Sequence, residues 1–304
     1  MTISTVDCDY RQADQTLRSG ILYGIAAFVT WGLGPIYFKA VASVPALEVL
    51  AHRIIWSVAL LVLLVLFTRQ WHEVRRAFQT PRTRNILLVT TILISGNWFM
   101  FIWAIANNHV LQSSLGYYIN PLVSVLLGVV FLRERLSRRG LVSVLLAAVG
   151  VAFQIILGNE IPTIALVLAF SFGLYGLLRK VVAVDAMVGL TVETALLAPA
   201  TLLYLFWLGQ TDSGHFGTVS WQLTLLLSSA GVVTTLPLLW FTASARRLPL
   251  ATVGFLQYLT PSLQFLLAVL VYGEVFCTYH SVTFGCIWIA LGVYSFDMVK
   301  QNRA

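Results

Sequence analysis

Charge is what this chain has least of. Asp, Glu, Lys and Arg make up 10% of its 304 residues, against roughly a quarter in a soluble domain, so they cannot coat a water-soluble fold. Cysteine is scarce as well. Cys8, Cys277 and Cys286 are odd in number and lack paired spacing, which excludes a disulfide framework and a cysteine metal site. The histidines at 52, 72, 109, 215 and 280 lie in separate segments without ligand spacing. No His-Glu-x-x-His pair, Gly-x-Ser-x-Gly elbow or Walker loop occurs, so no metal, cofactor or catalytic constellation is expected. The ring of charges or carbonyls that a channel uses and a soluble output domain are likewise missing from the pattern. A channel, or a membrane enzyme lacking any recognisable catalytic motif, stays as the alternative class.

What the chain does have is apolar surface. Hydrophobic residues account for 59% of it, and its mean hydropathy is +0.86. A helix crossing about 30 Å of hydrocarbon needs roughly 20 mostly apolar residues. Ten segments meet or approach that length: 20–41, 48–68, 85–106, 111–132, 140–157, 162–179, 188–208, 222–244, 249–272 and 280–299. The fifth and sixth are separated only by Gly158-Asn159-Glu160-Ile161, with Pro162 marking a new helix start. The expected fold is therefore an all-α integral membrane protein of ten transmembrane helices, with the lipid bilayer as its solvent.

The net charge of +7 does not point to nucleic acid, because the basic residues sit in short clusters between apolar runs rather than as a stripe on one soluble face. With residues 1–19 and 300–304 as cytoplasmic tails, 17 of the 19 Lys and Arg fall in cytoplasmic stretches, and the external loops hold none. The positive-inside rule thus supports ten spans and places both termini in the cytoplasm. The first 19 residues carry three Asp and two Arg and no apolar run. They do not resemble a cleavable signal peptide, so the first span is expected to serve as the insertion signal. The two remaining basic residues are Lys39 and Arg53, inside or beside spans.

Residues 114–134 and 254–274 align without a gap at an offset of 140, pairing Tyr118 with Tyr258, Pro121 with Pro261 and Glu134 with Glu274. Ala27-Phe28 and Gly34 similarly pair with Ala169-Phe170 and Gly176 at an offset of 142. Spans 1–5 (residues 20–157) and 6–10 (residues 158–299) then form two copies. Five is odd, so the second copy enters the membrane from the opposite side. Such inverted repeats are the architecture of secondary transporters, with the site near the midplane between the halves.

The stretches Trp31-Gly-Leu-Gly-Pro-Ile-Tyr-Phe-Lys39, His52-Arg-Ile-Ile-Trp-Ser57, Gly96-Asn-Trp98 and Asn107-Asn-His109 resemble the RarD branch of the EamA family, as do Leu115-Gly-Tyr-Tyr-Ile-Asn-Pro121 and Gly254-Phe-Leu-Gln-Tyr258. That family belongs to the drug/metabolite transporter superfamily. The resemblance covers roughly residues 20–299. It implies a ten-helix inner-membrane permease of two EamA repeats, in a branch named for chloramphenicol sensitivity, that moves a small organic solute. One departure is local: the second copy has Gly273-Glu274 where the first has Arg133-Glu134.

Ionisable residues inside spans are costly and usually face the bundle interior or water. Lys39, Glu48, His52, Arg53 and Glu193 are such residues. The first four cluster at the outer ends of spans 1 and 2, and Glu193 lies just inside the cytoplasmic end of span 7. They are candidates for gating or proton coupling. The structural alternative is an interface anchor, with a Glu48–Arg53 or Glu48–Lys39 ion pair, and a snorkelling Glu193. Substrate binding is assigned instead to Tyr117, Tyr118 and Asn120 around Pro121, and to Gln257, Tyr258 and Thr260 around Pro261, with Asn97 and Trp98 beside them. Each proline frees a carbonyl of the preceding turn, and rings with a few polar groups suit an amphiphilic ligand. The alternative there is a structural kink. Trp103, Thr234, Thr235 and Trp240 are further candidates for the same lining. Glu134 and Glu274 are expected to bond neighbouring backbone, and Gly20-x-x-x-Gly24 carries no oligomer assignment.

Overall fold

The computed structural model describes residues 3–133, 138–158, 161–182, 184–245, 247–248, 253 and 256–301. Its regular elements are helices: α1 (Ile3–Gly32), α2 (Gly34–Ala40), α3 (Ala46–Phe67), α4 (Trp71–Gln79), α5 (Pro81–Ala106) and α6 (Val110–Leu132), followed by α7 (Arg138–Gly158), α8 (Thr163–Val181), α9 (Ala186–Gln210) and α10 (Trp221–Ala245). The series ends with α11 (Leu259–Val271), whose last turn from Leu267 is a π-helix, and α12 (Thr278–Gln301). Among the described residues, eight stretches are long and apolar enough to cross a membrane: Leu17–Ala40 through α1 and α2, then α3 and α5 to α10. The expected ninth span is represented by the shorter α11, and residues 249–252, 254 and 255 lie outside the described residues, as does Glu134. The expected tenth corresponds to α12.

The outside of the bundle is greasy. Phe67, Ile92, Leu203 and Leu270 are all more than two-thirds exposed, an arrangement a soluble protein avoids over large areas and a lipid-facing surface requires. Many hydroxyl side chains inside spans bond their own helix. Thr30, Thr91, Thr191, Thr194 and Thr234 each donate to the carbonyl four residues earlier, which satisfies them without water. This is a multi-pass membrane protein.

Three local features depart from the expected spans. The first span breaks at Leu33, between α1 and α2, where Gly32-Leu-Gly34-Pro35 interrupts one helix and starts the next with a proline in its first turn. Residues 71–79, expected as loop, form α4: Val74 and Ala77 are buried while Glu73, Arg75 and Arg76 face outward. It lies beside α5 and α9 as a surface helix. Pro162 precedes the sixth span as its cap rather than occupying its first turn.

The packing falls into matched pairs. α6 lies on α8, as α11 lies on α1; α5 lies on α8, as α10 lies on α1; and α3 lies on α10, as α9 lies on α5. In addition α3 meets α9, α6 meets α11 and α7 meets α12. Individual joints repeat as well. Asn120 on α6 donates to the carbonyl of Ala169 at 3.0 Å, and Thr260 on α11 donates to that of Phe28 at 2.8 Å. A Cβ added to Gly173 would lie 3.0 Å from Val123, and one added to Gly32 would lie 2.8 Å from Leu263. The tightest backbone approach at a glycine among the described residues is α10 on α3, where a Cβ on Gly231 would fall 2.5 Å from the backbone of Trp56.

Candidate functional site

Arg53 sits two turns into α3, among aromatic rings. Its guanidinium carbon lies 4.2 Å from the centroid of Trp98 on α5 and 5.6 Å from that of Phe38 on α2. Tyr117 on α6 and Tyr37 on α2 are within its electrostatic reach. Its Nε is buried without a hydrogen-bond partner, and no ion pair to Arg53 occurs among the described residues. Removing an ion from water costs several kcal/mol, and a cation–π contact returns about 0.5–1 kcal/mol when exposed and about 2 kcal/mol or more when desolvated. The guanidinium is thus held by rings, with no counter-charge among the described residues.

A ladder of rings leads away from this point. Phe38 packs against Phe101 at 5.6 Å, Phe101 against Tyr117 at 5.7 Å, Tyr117 against Phe172 at 6.5 Å, and Phe172 against Tyr175 at 5.9 Å. The Tyr175 hydroxyl donates at 3.2 Å to Glu193. Glu193 also accepts from Thr90 at 2.7 Å and lies 3.9 Å from Arg179. The Glu193 side chain is almost completely buried, and its neighbours come from α5 and α8. Arg53 and Glu193 are 140 residues apart, the offset of the sequence repeat. Helices α3 and α9 thus hold opposite charges 140 residues apart, one without a counter-charge among the described residues and one with.

The C-terminal end of α2 and the N-terminal end of α3 are tied down elsewhere. Glu48 accepts from the backbone N–H of His215 at 2.7 Å and sits 2.8 Å from its Nδ1. Its partner is thus the loop after α9, neither Arg53 nor Lys39. His52 stacks on Phe216 of the same loop at 4.7 Å. Lys39 donates to Asn108 and lies 5.3 Å from the Tyr272 ring. Glu274 accepts from Val110 and Leu111 N–H at 2.7 and 2.8 Å, filling the orphan donors at the start of α6. Burial pushes its carboxyl above the usual carboxylate range, opposed by these two donors and by Lys39.

The substrate-binding candidates divide between two places. Tyr117 and Trp98 belong to the Arg53 cage. Tyr118, one residue on and about 100° round the helix, points elsewhere: its hydroxyl is 2.7 Å from Ser262, and its ring meets Phe284 and Trp288. Together with Tyr258 it lines a cavity of about 760 Å³ among α6, α11 and α12. Leu266 and Phe296 at the rim are exposed, so this cavity opens on the apolar outer face. Gln257 is half-buried just before α11. Asn97 donates to Leu168 and Ser171, so the amide nitrogens of Asn97 and Asn120 and the hydroxyl of Thr260 all bond neighbouring helices. Trp103 stacks on His109 at the end of α5, Thr234 bonds its own helix, and the Thr235 hydroxyl is buried without a partner.

Sequence reasoning missed His215, Phe216, Arg179, Tyr175 and the ring ladder. A buried carboxylate demands a partner, and Arg179, counted only as a loop charge, was the basic residue available near the inner end of α9. His215 lies in a ten-residue polar loop with no periodic pattern, and nothing in the sequence marks it.

Eight apolar spans among the described residues, enclosing buried charges, define a polytopic membrane protein. Comparison with known proteins gives the class its name. The EamA-like transporter family model matches residues 18–156. An uncharacterized transporter of Vibrio cholerae is 52% identical over 95% of this chain and 96% of its own length. Protein RarD of Escherichia coli K12 is 47% identical over 96% of this chain and 98% of its own. The chloramphenicol-sensitive protein RarD of Pseudomonas aeruginosa is 35% identical over 93% and 96%. A solved crystal structure of a protein overlays with a TM-score of 0.59 at 18% identity, over 91% of this chain and 97% of that one, a likeness of fold alone. The chain belongs to the EamA-like transporter family and is a membrane transporter with RarD proteins among its relatives.

Proposed function

We propose that the chain is a ten-span secondary transporter of the inner membrane, with both termini in the cytoplasm, that exports a small organic solute by alternating access. Residues 20–157 and 158–299 are its two inverted repeats. The matched packing pairs support this, as does a family model that ends at residue 156, close to the proposed boundary. The observation that carries the functional reading is the ring ladder between Arg53 and Glu193. Glu193 lies two turns into α9 and Glu48 bonds the loop that follows the same helix, so the two carboxylates mark opposite ends of it. The solute is placed against Arg53, Trp98 and Tyr117. Glu48 with His52 closes the outer end, and Glu193 with Arg179 closes the inner. Tyr118 and Tyr258 form a lateral subsite. Lys39 belongs to the outer closure.

The relative named for chloramphenicol sensitivity makes that drug a natural first probe in cells. Expression of the chain should change accumulation of a tested solute, and Tyr117→Ala should abolish the change while the protein still inserts. Tyr118→Ala should have the smaller effect. Unchanged transport in Tyr117→Ala overturns the central site. Glu193 and His52 are the proton-coupling candidates, and transport in proteoliposomes that ignores an imposed pH gradient overturns coupling.

A further inference from the structure

Arg53 is the one cation that the described interior holds without a carboxylate. Each buried acid is already committed: Glu48 to His215, Glu193 to Arg179, Tyr175 and Thr90, and Glu274 to the start of α6. Tyr37 does not turn its hydroxyl proton to the site, because it donates to the Leu226 carbonyl at 2.7 Å. What faces the guanidinium is the planes of Trp98 and Phe38 and the Tyr117 side chain, with Phe101 and Phe172 packed behind Tyr117. Nε remains buried with no acceptor.

Such a fork of donors in a wall of aromatic rings is complementary to one kind of guest. A carboxylate accepts from a guanidinium through two parallel N–H bonds, and a flat apolar body stacks on the surrounding rings. A neutral amphiphile would leave the charge as it stands, and a cation would meet repulsion. We infer that the cargo of this transporter is an organic monoanion, a carboxylate on an aromatic or similarly flat body, with its carboxylate seated on Arg53. This inference rests on the central-site reading above and specifies its substrate class.

The test uses the full chain, purified in detergent, with two acid–amide pairs of matched shape: benzoate against benzamide, and phenylacetate against phenylacetamide. Binding is read as ligand-dependent thermal stabilisation at fixed ionic strength. In the unmodified protein each acid should bind at least tenfold more tightly than its amide. Arg53→Gln should bring that ratio close to one, and Arg53→Lys, which keeps the charge and loses the fork, should fall between. Equal affinity for acid and amide in the unmodified protein overturns the inference while leaving the site intact. So does a preference that survives Arg53→Gln. Where Arg53→Gln does not fold, an undiminished preference in Arg53→Lys overturns it equally. Trp98→Ala must weaken acid and amide alike. If no probe binds, or if Trp98→Ala changes neither, the central site fails together with the inference.

Discussion

In the two proposed repeats, residues 20–157 and 158–299, the joints match and the charges differ. Asn120 on Ala169 has its counterpart in Thr260 on Phe28, and Gly173 against Val123 has its counterpart in Gly32 against Leu263. At one equivalent position, however, the first half holds Arg53 and the second Glu193. The first is boxed by rings without a counter-charge; the second is surrounded by Thr90, Tyr175 and Arg179. On the proposed alternating-access reading, packing that repeats would let the halves exchange conformations. Charge that does not repeat would give Arg53 and Glu193 different tasks, one to hold and one to close.

Stability should expose that difference most strongly. Glu193→Gln leaves Arg179 without its carboxylate at a largely buried site, a loss of about 3 kcal/mol, whereas Arg53→Gln removes an already unpaired charge and should cost under about 1 kcal/mol. Thermal unfolding in detergent compares the two, and equal losses would break the contrast. Next come the joints. Gly32→Val and Gly173→Val should each destabilise by about 2 kcal/mol through overpacking, and by the same amount within about 0.5 kcal/mol. A clear inequality would mean that the halves are not equivalent in packing. Glu48→Gln weakens a bond to the His215 backbone and should cost about 1.5 kcal/mol. It should also raise solvent labelling of a cysteine placed at residue 52 in the mature fold, while the same label beside Glu193 stays unchanged.

The smallest effect concerns the turn where the two copies differ. Gly273 and Arg133 both adopt left-handed backbone, with φ of 63° and 54°. Glycine does so freely, and an arginine at the same place carries a cost of about 1 kcal/mol. Arg133→Gly should therefore stabilise by about 1 kcal/mol in the same unfolding assay, and Gly273→Ala should destabilise by a similar amount. Under the proposed topology the arginine sits on the cytoplasmic face, where the positive-inside rule favours it, and the glycine sits on the external face, where a basic residue would be out of place.

Much of the scaffold was legible beforehand because its causes are local. Twenty-residue apolar runs announce spans, and Tyr-x-x-Pro followed by glutamate announces the repeat without any contact being known. Glu274 was likewise readable as a backbone partner, since a carboxylate beside a helix end has few other uses. The split between Tyr117 and Tyr118 was not readable. Adjacent residues on a helix face different neighbours, and which neighbour is cavity and which is lipid depends on how α11 and α12 lie. The Glu48–His215 contact joins residues 167 apart through an irregular loop, and periodicity carries no information about such a meeting. α4 was lost for another reason: its nine residues are too short and too charged to stand out against the spans around them.

One contact bears on motion. At Gly231 the α10 backbone rests directly on that of α3 at Trp56 and Ser57, with no side chain between them. Side chains can change rotamer and let one helix slide across another; two bare backbones cannot. Any rocking of the bundle must leave this crossing almost stationary and swing the helix ends around it. On the proposed alternating-access reading the crossing would act as a fulcrum, and the travel available to each closure would be set by its distance from that point.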